Sequence, residues 1–447
     1  MTISLIRPAA AIALAAGLVL SPQAMAQGKM DSAAILKEIK ALKDAYERRT
    51  AELEAKIKAL EAKQNRQAAK SKTPASSGRS IKDNSFNPSI GLVLNGRVSG
   101  FSRKSAGDIA GFAIGEEGER GNEGLSLDES ELNFSANVDD KFYGSLTAAI
   151  VREDGEDKIE LEEAYVQTLP GVGLPDGARL KAGRAFWTFG YLNEQHAHSD
   201  DFADRPLPYR VYLNNSFNDD GAELSLVLPT DHYIEVGGGL FRGDDFPSGG
   251  SVSGFGGWSA YARTGGDIGD DQSWRIGGYT MYSDVNGRTT NEDTVTFVGN
   301  SKLYGFDARY TWAPTGNAKD QELILQGEIF FRDEDGTYNA GGGPLAFDDS
   351  SFGWYAQAVY KFAPAWRVGA RYSRMDAPGT AAGFAGTAID AQGHDPSAFA
   401  IMGDWTNSEY GRIRVQYNSE DLDTGSVDNQ FLVQYIMSLG AHGAHPF

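Results

Sequence analysis

The sequence predicts an all-β transmembrane barrel of about 16 antiparallel strands, preceded by an N-terminal α-helical coiled coil. Three observations carry this. The body of the chain is a series of short segments in which apolar and polar residues alternate, the pattern of a strand with one face in lipid and one in water. The connections between them are short and long by turns. And the chain, with 54 glycines and 11% aromatics, has no apolar run beyond its first residues that approaches the roughly 18 residues of a spanning helix. A soluble sandwich would need its polar faces turned outward, and a propeller a repeat of about 40 to 50 residues, which is not found.

Residues 1–26 read as a secretory signal peptide. Arg7 precedes an apolar run from Ala9 to Leu20, and Ala24-Met25-Ala26 supplies an A-x-A cleavage pattern. Without them the chain carries 40 Lys and Arg against 61 Asp and Glu, a net charge of −21. That acidity argues against nucleic acid as a partner. The absence of cysteine excludes disulfides and thiolate metal sites. Residues 27–67 hold a helical segment in which Ile35, Ile39, Leu42 and Tyr46, then Leu53, Ile57 and Leu60, form a narrow apolar strip. Such a strip fits a coiled-coil seam about 50 Å long, expected to self-associate in the periplasm as a homotrimer. A linker rich in Ser, Lys, Asn and Pro follows at 68–89.

From residue 90 to 447 the expected strands lie near 91–101, 127–138, 141–152, 159–168, 179–186, 221–228, 232–241, 256–264, 273–282, 303–312, 322–331, 352–361, 366–374, 397–405, 411–418 and 429–439. In one of them Tyr304, Phe306, Ala308, Tyr310 and Trp312 oppose Asp307, Arg309 and Thr311; in another Ile413, Val415 and Tyr417 oppose Arg412, Arg414 and Gln416. Every second connection is short, and Trp274, Trp312, Trp366 and Trp405 lie beside short turns. Short turns on one rim, long loops on the other and an aromatic girdle are barrel features, and an even strand count leaves both termini on the periplasmic side.

With this leader, coiled coil, strand count, long third loop and terminal Phe447, the chain resembles the porins, in particular the phosphate-selective O/P type, and porin-like proteins sometimes labelled TonB-dependent receptors, on the segment Tyr191-Leu-Asn-Glu-Gln-His-Ala-His198. The chain has room for neither the plug nor the roughly 22 strands the latter label implies. Phe447 stands beyond the last strand, and no ladder of Arg and Lys is evident. The resemblance implies an outer-membrane porin that passes small hydrophilic solutes or ions by passive diffusion, with outer-membrane lipid around it. It further implies that the third loop, 187–220, bends inward as a charged constriction. Glu194, Asp200, Asp201 and Asp204 would then supply acids, with Arg205 and Arg210 as counter-charges and His196 and His198 between them. On the polar faces of the wall, Glu129, Glu131, Glu223, Glu235, Asp307 and Glu328 oppose Arg309, Arg367, Arg371, Arg412 and Arg414. The alternative is a loop lying outside as a lid or trimer latch.

His196-x-His198 with Asp200 and Asp201 has the ligand types of a Zn²⁺ site. A zinc-related channel or binding protein is therefore the alternative function, against a pair of histidines that only hydrogen-bond; His442-x-x-His445 is a weaker candidate. No cofactor is otherwise expected. No G-x-S-x-G, H-E-x-x-H or phosphate-loop motif is present, and the reading is a non-enzyme.

Overall fold

A computed structural model describes residues 88–104, 108–153, 156–250, 253–379, 383–408 and 410–440. The expected leader, the coiled-coil helix, all but the last two residues of the linker, His442, His445 and Phe447 lie outside the described residues.

The strands are β1 (Ser89–Phe101), β2 (Gly124–Leu127), β3 (Ser130–Asn137), β4 (Phe142–Glu153), β5 (Glu156–Thr168), β6 (Ala178–Phe186), β7 (Asn218–Val227), β8 (Tyr233–Phe241) and β9 (Gly257–Ile268). They continue as β10 (Gln272–Thr290), β11 (Val295–Trp312), β12 (Glu322–Asn339), β13 (Pro344–Ala363), β14 (Trp366–Asp376), β15 (Ser397–Ser408), β16 (Gly411–Asp421) and β17 (Asp428–Gly440). From β3 to β17 each strand pairs antiparallel with the next in sequence. β2 and β3 lie end to end along β1, so seventeen strands fill sixteen places in the wall. Where the strand breaks between them, the Ser130 hydroxyl accepts from the Asn95 backbone N–H at 3.1 Å and keeps that peptide group satisfied. β1 pairs with β17 from Gly91↔Gly440 to Phe101↔Gln430, and the barrel is closed.

The alternation sorts as the sequence predicts through most of the wall. Tyr304, Phe306, Ile401 and Val415 face out, while Asp307, Glu328, Arg412 and Arg414 are at most 4% exposed. Trp366 and Trp405 sit side by side next to short turns, 49% and 39% exposed with ring centroids 6.3 Å apart. Such rings fit the boundary between lipid and water.

Two features depart from expectation. Residues 283–302 and 332–351 read as loops; instead β10–β11 and β12–β13 continue as long hairpins with tips at 291–294 and 340–343. There the code inverts. Val285, Val295, Phe297 and Tyr338 turn inward against Phe384 and Ile389, while Asp284, Asp333 and Asp335 turn outward. Strands that have left the lipid need a polar outer face, so their Asp-, Asn- and Gly-rich sequence looks like loop.

The interior is also not uniformly polar. Phe241, Tyr261, Tyr279, Phe330, Tyr355 and Met375 point inward and form an apolar core with Trp187, Phe189, Tyr209, Tyr212 and Phe217 of the β6–β7 connection, which carries the short helix α1 (Leu207–Leu213).

Closure is testable in a chain without cysteine. Val98 and Val433 are direct partners across the β1–β17 seam. Such pairs sit about 4.5–5.5 Å apart at Cα, within disulfide range. The double variant Val98→Cys, Val433→Cys is expected to cross-link on oxidation and to run as a circularised chain on a denaturing gel. Each single variant should run linear, and an oxidised double variant that also stays linear would contradict the seam.

Candidate functional site

The connection 187–217 is the third on the long-loop rim and lies among wall residues on several sides. Its ends are clipped together by Asn193, which is fully buried. The Asn193 amide donates to the carbonyls of Trp187 at 2.7 Å and Phe217 at 3.0 Å, and its Oδ1 accepts from Phe217 N–H at 2.5 Å. Arg205 closes the turn. Its guanidinium donates to Asp200 Oδ2 at 2.9 Å, to the carbonyls of Leu192, Gln195 and Asn215, and to the Ser216 hydroxyl. Every nitrogen is used, so Arg205 organises the loop and is not a spare counter-charge. α1 follows Pro206 and ends at Asn214 in the left-handed region, φ 49°. Arg210 on α1 donates to Glu420 at 2.9 Å and to the Gly118 carbonyl at 2.8 Å, which ties the first and third long loops to β16.

The acids of the loop meet arginines of the wall. Glu194 Oε1 accepts from Arg263 at 2.6 Å and Arg275 at 3.2 Å. Asp201 accepts from Arg367 at 2.8 Å, and Asp204 pairs with Arg371 at 2.9 Å. Arg412 and Arg414 donate to the backbone carbonyls of His198 and Asp200, each at 2.6 Å. Asp404, fully buried, accepts from Arg414 at 2.9 Å and also from Arg367. Arg275 and Arg309 lie over the Tyr191 ring at 4.9 and 4.7 Å. Burial raises the Asp200 carboxyl above its usual range, against the pull of Arg205.

On the β12 side the contact is a carboxylate wrapped by donors. Glu328 accepts from the Tyr209 hydroxyl at 3.0 Å, the Tyr355 hydroxyl at 2.6 Å and the Tyr191 N–H at 3.0 Å. Gly190 makes this approach possible. Its φ is +76°, and a Cβ there would stand 2.4 Å from both Glu328 Oε2 and the Tyr209 oxygen. Of the other predicted wall acids, Glu223 accepts from Thr188 N–H and hydroxyl, Glu235 pairs with Arg263, and Asp307 accepts from the Tyr279 hydroxyl.

The two histidines do not join the aspartates proposed for a metal. Asp200 and Asp201 are turned to Arg205 and Arg367. The imidazoles of His196 and His198 lie 5.7 Å apart at their centroids and face Glu131, Glu162 and Glu163. Burial lowers the pKa of His196, but those three carboxylates outweigh it and hold it well above the usual range. Glu162, Glu163, Asp404, Glu420 and Asn193 were not singled out in the sequence. Alternation puts Asp404 on the polar face of its strand; the glutamates are hidden by a bulge, because β5 shifts register between Thr147 and Ala148.

A cavity of about 660 Å³ remains between this loop, the first long loop and the wall, chiefly β1 to β6 with Glu420 of β16 and Gln430 and Leu432 of β17. Arg97, Arg120, Arg184, Arg205 and Arg210 reach it, as do nine carboxylates, among them Glu119, Glu129, Glu160 and Glu162.

No family model matches the chain. A protein of Aquifex aeolicus (strain VF5) described as uncharacterized is 28% identical over 393 residues, covering 81% of this chain and 80% of its own length. Among solved structures, the chain is similar to the outer membrane channel DcaP of Acinetobacter baumannii, with 12% identity and TM-score 0.50 over 78% of this chain and 96% of the other. It is also similar to an anion-selective porin from Comamonas acidovorans, with 9% identity and TM-score 0.50 over 78% and 98%. At such identity the likeness is one of fold.

The Glu328 contact generates a prediction. Glu328→Ala leaves two hydroxyls and one N–H without their acceptor, about 1–3 kcal/mol for each buried donor. The loop should then undock while the barrel persists. Trypsin, too large to enter the lumen, is expected to cut after Arg210 in the variant and not in the parent, with heat-modifiable migration retained. Glu328→Gln should lie between them, and equal protection in all three would count against the latch.

Proposed function

We propose that this chain is an outer-membrane channel through which small hydrophilic solutes or ions diffuse passively, narrowed by the 187–217 loop and biased toward cations. The observation that carries this reading is the charged cavity left between the loop and the wall of β1 to β6. Its five arginines all have acidic partners: Arg97 with Asp128, Arg120 with Asp428, Arg184 with Asp220 and Asp245, Arg205 with Asp200, and Arg210 with Glu420. Of the nine carboxylates, Asp200, Asp204, Asp245 and Glu420 pair with arginines and Glu162 faces His196, and Glu119 and Glu129 are among those that remain. Surplus negative charge in a narrow wet passage raises the local concentration of cations and repels anions. The anion selectivity of the Comamonas porin is therefore not transferred to this chain. In the same reading residues 1–26 export the chain, both termini lie in the periplasm, and the 27–67 helix joins three copies.

Planar bilayers test this directly. The purified protein should open discrete conductance steps without added substrate, and its reversal potential in a potassium chloride gradient should have the sign of potassium permeation. Removing the charge of Glu129, as Glu129→Gln, should lower the local cation concentration and raise that of anions by roughly two-fold each, the size of a Coulomb term at about 8 Å in water, and so lower the cation-to-anion permeability ratio by about four- to six-fold. A silent membrane would overturn the channel. Chloride selectivity would overturn the charge assignment.

A further inference from the structure

The cluster around His196 is built from parts that sequence distance separates. Glu131 comes from β3 and His196 from the loop. Glu162 and Glu163 come from the bulge in β5, where Glu163 pairs with Thr147, Leu161 pairs with Ala148, and Glu162 is the extra residue. A bulge re-aims side chains. Here it turns two successive glutamates inward, each 9% exposed, while Leu161 stays outside. The Phe186 ring packs edge-on against His196 at 5.0 Å and holds it in place.

Three ligands converge: Glu131, Glu162 and His196 each offer an atom within 4.8 Å of the others, and the atoms that approach His196 Nδ1 are Glu131 Oε2 and Glu162 Oε2. Nδ1 is 3.1 Å from the first oxygen and 3.5 Å from the second, yet none of the three atoms has a hydrogen-bond partner. The other ring nitrogen, Nε2, is 3.2 Å from Glu163 Oε2. A hydrogen bond there keeps a proton on Nε2, so a metal ion that displaces the proton on Nδ1 finds the Nδ1 lone pair facing two carboxylate oxygens. Glu131 is oriented in turn, its Oε1 2.6 Å from His198 Nδ1. Buried acceptors crowded together without a donor are costly. A single proton on Nδ1 cannot serve both oxygens, which lie 3.1 and 3.5 Å away. A cation on the lone-pair axis, flanked by both oxygens, satisfies all three atoms. The separations bracket the edge of about 3.4 Å expected between ligands of a tetrahedral ion with bonds near 2.1 Å.

We propose that Glu131, Glu162 and His196 form a binding site for a divalent transition-metal cation of the Zn²⁺ class. Glu163 and His198 act as orienting partners, in the carboxylate–histidine–metal arrangement that fixes a ligand tautomer. The mixed nitrogen and oxygen donors favour zinc, nickel or copper over magnesium and calcium. Glu162 also borders the cavity, so a fourth ligand position opens to lumen water. The ion clips the loop to β3 and β5 and offsets local negative charge. This goes beyond passage of solutes, and binding is measured without any conduction.

Calorimetry of the full-length protein in detergent at neutral pH, titrated with zinc chloride, is expected to show one site per chain, while magnesium chloride gives no heat. Glu162→Gln and His196→Asn should each weaken zinc at least about ten-fold, with heat-modifiable migration confirming an intact barrel. The double variant His442→Asn, His445→Asn should bind as the parent does. X-ray absorption of the zinc-loaded protein should show only nitrogen and oxygen neighbours near 2.0–2.2 Å. No heat in the parent, unchanged affinity in both site variants, or binding lost with the tail histidines would each overturn the proposal.

Discussion

In hydrocarbon a peptide group has no water to bond, so each N–H and C=O in the wall must find its partner on a neighbouring strand. Closure through β1 and β17 follows from that constraint, and so does the remedy at the β2–β3 break, where the Ser130 side chain stands in for a ladder bond. Once the wall is closed and its outer face apolar, period two forces the alternate residues inward. The barrel thereby acquires an interior that it must fill, hydrate or neutralise.

This chain does all three in different sectors. Against β8 to β14 the interior is filled, by the aromatic core under α1 and by Glu328 with its tyrosine donors. Against β14 to β16 it is neutralised, because Asp201, Asp204 and Asp404 meet Arg367, Arg371 and Arg414. Between the loop and β1 to β6 it stays open. Buried ion pairs add little net stability, since desolvation opposes their attraction, but a misplaced partner leaves an uncompensated charge. The loop's acids therefore fix where it docks more than how tightly the protein holds together.

The legible part of the fold was what local sequence encodes. Alternation in Tyr304–Trp312 or Arg412–Tyr417 reports a face because neighbours in sequence sit on opposite sides of the same strand. The long hairpins were illegible because that code assumes lipid outside; above the membrane Val285 and Tyr338 turn inward and Asp333 outward, and the rule reverses sign. Interior contacts were harder still. His196 meets Glu131 across 65 positions, and Tyr209 meets Glu328 across 119. No periodicity links them. The histidines and aspartates of one short motif pointed to a shared ligand, yet adjacent loop residues leave in opposite directions, Asp200 to Arg205 and His196 to the β5 glutamates.

The same separation explains why overall acidity is a poor guide to the field in the lumen. A charge held against its opposite in a poorly hydrated contact presents mainly a dipole, whose potential falls faster with distance than that of a single ion. Glu194 between Arg263 and Arg275 is of that kind, and so is Asp404 among its arginines. Charges on exposed loop tips, such as Glu292 and Asp293, are screened within about 8–10 Å by salt. In the proposed channel, what a passing ion would meet is the remainder, the carboxylates around the cavity beyond those that basic side chains neutralise. Selectivity there would then depend on the few carboxylates that line the cavity, Glu119 and Glu129 among them, more than on the many acids outside.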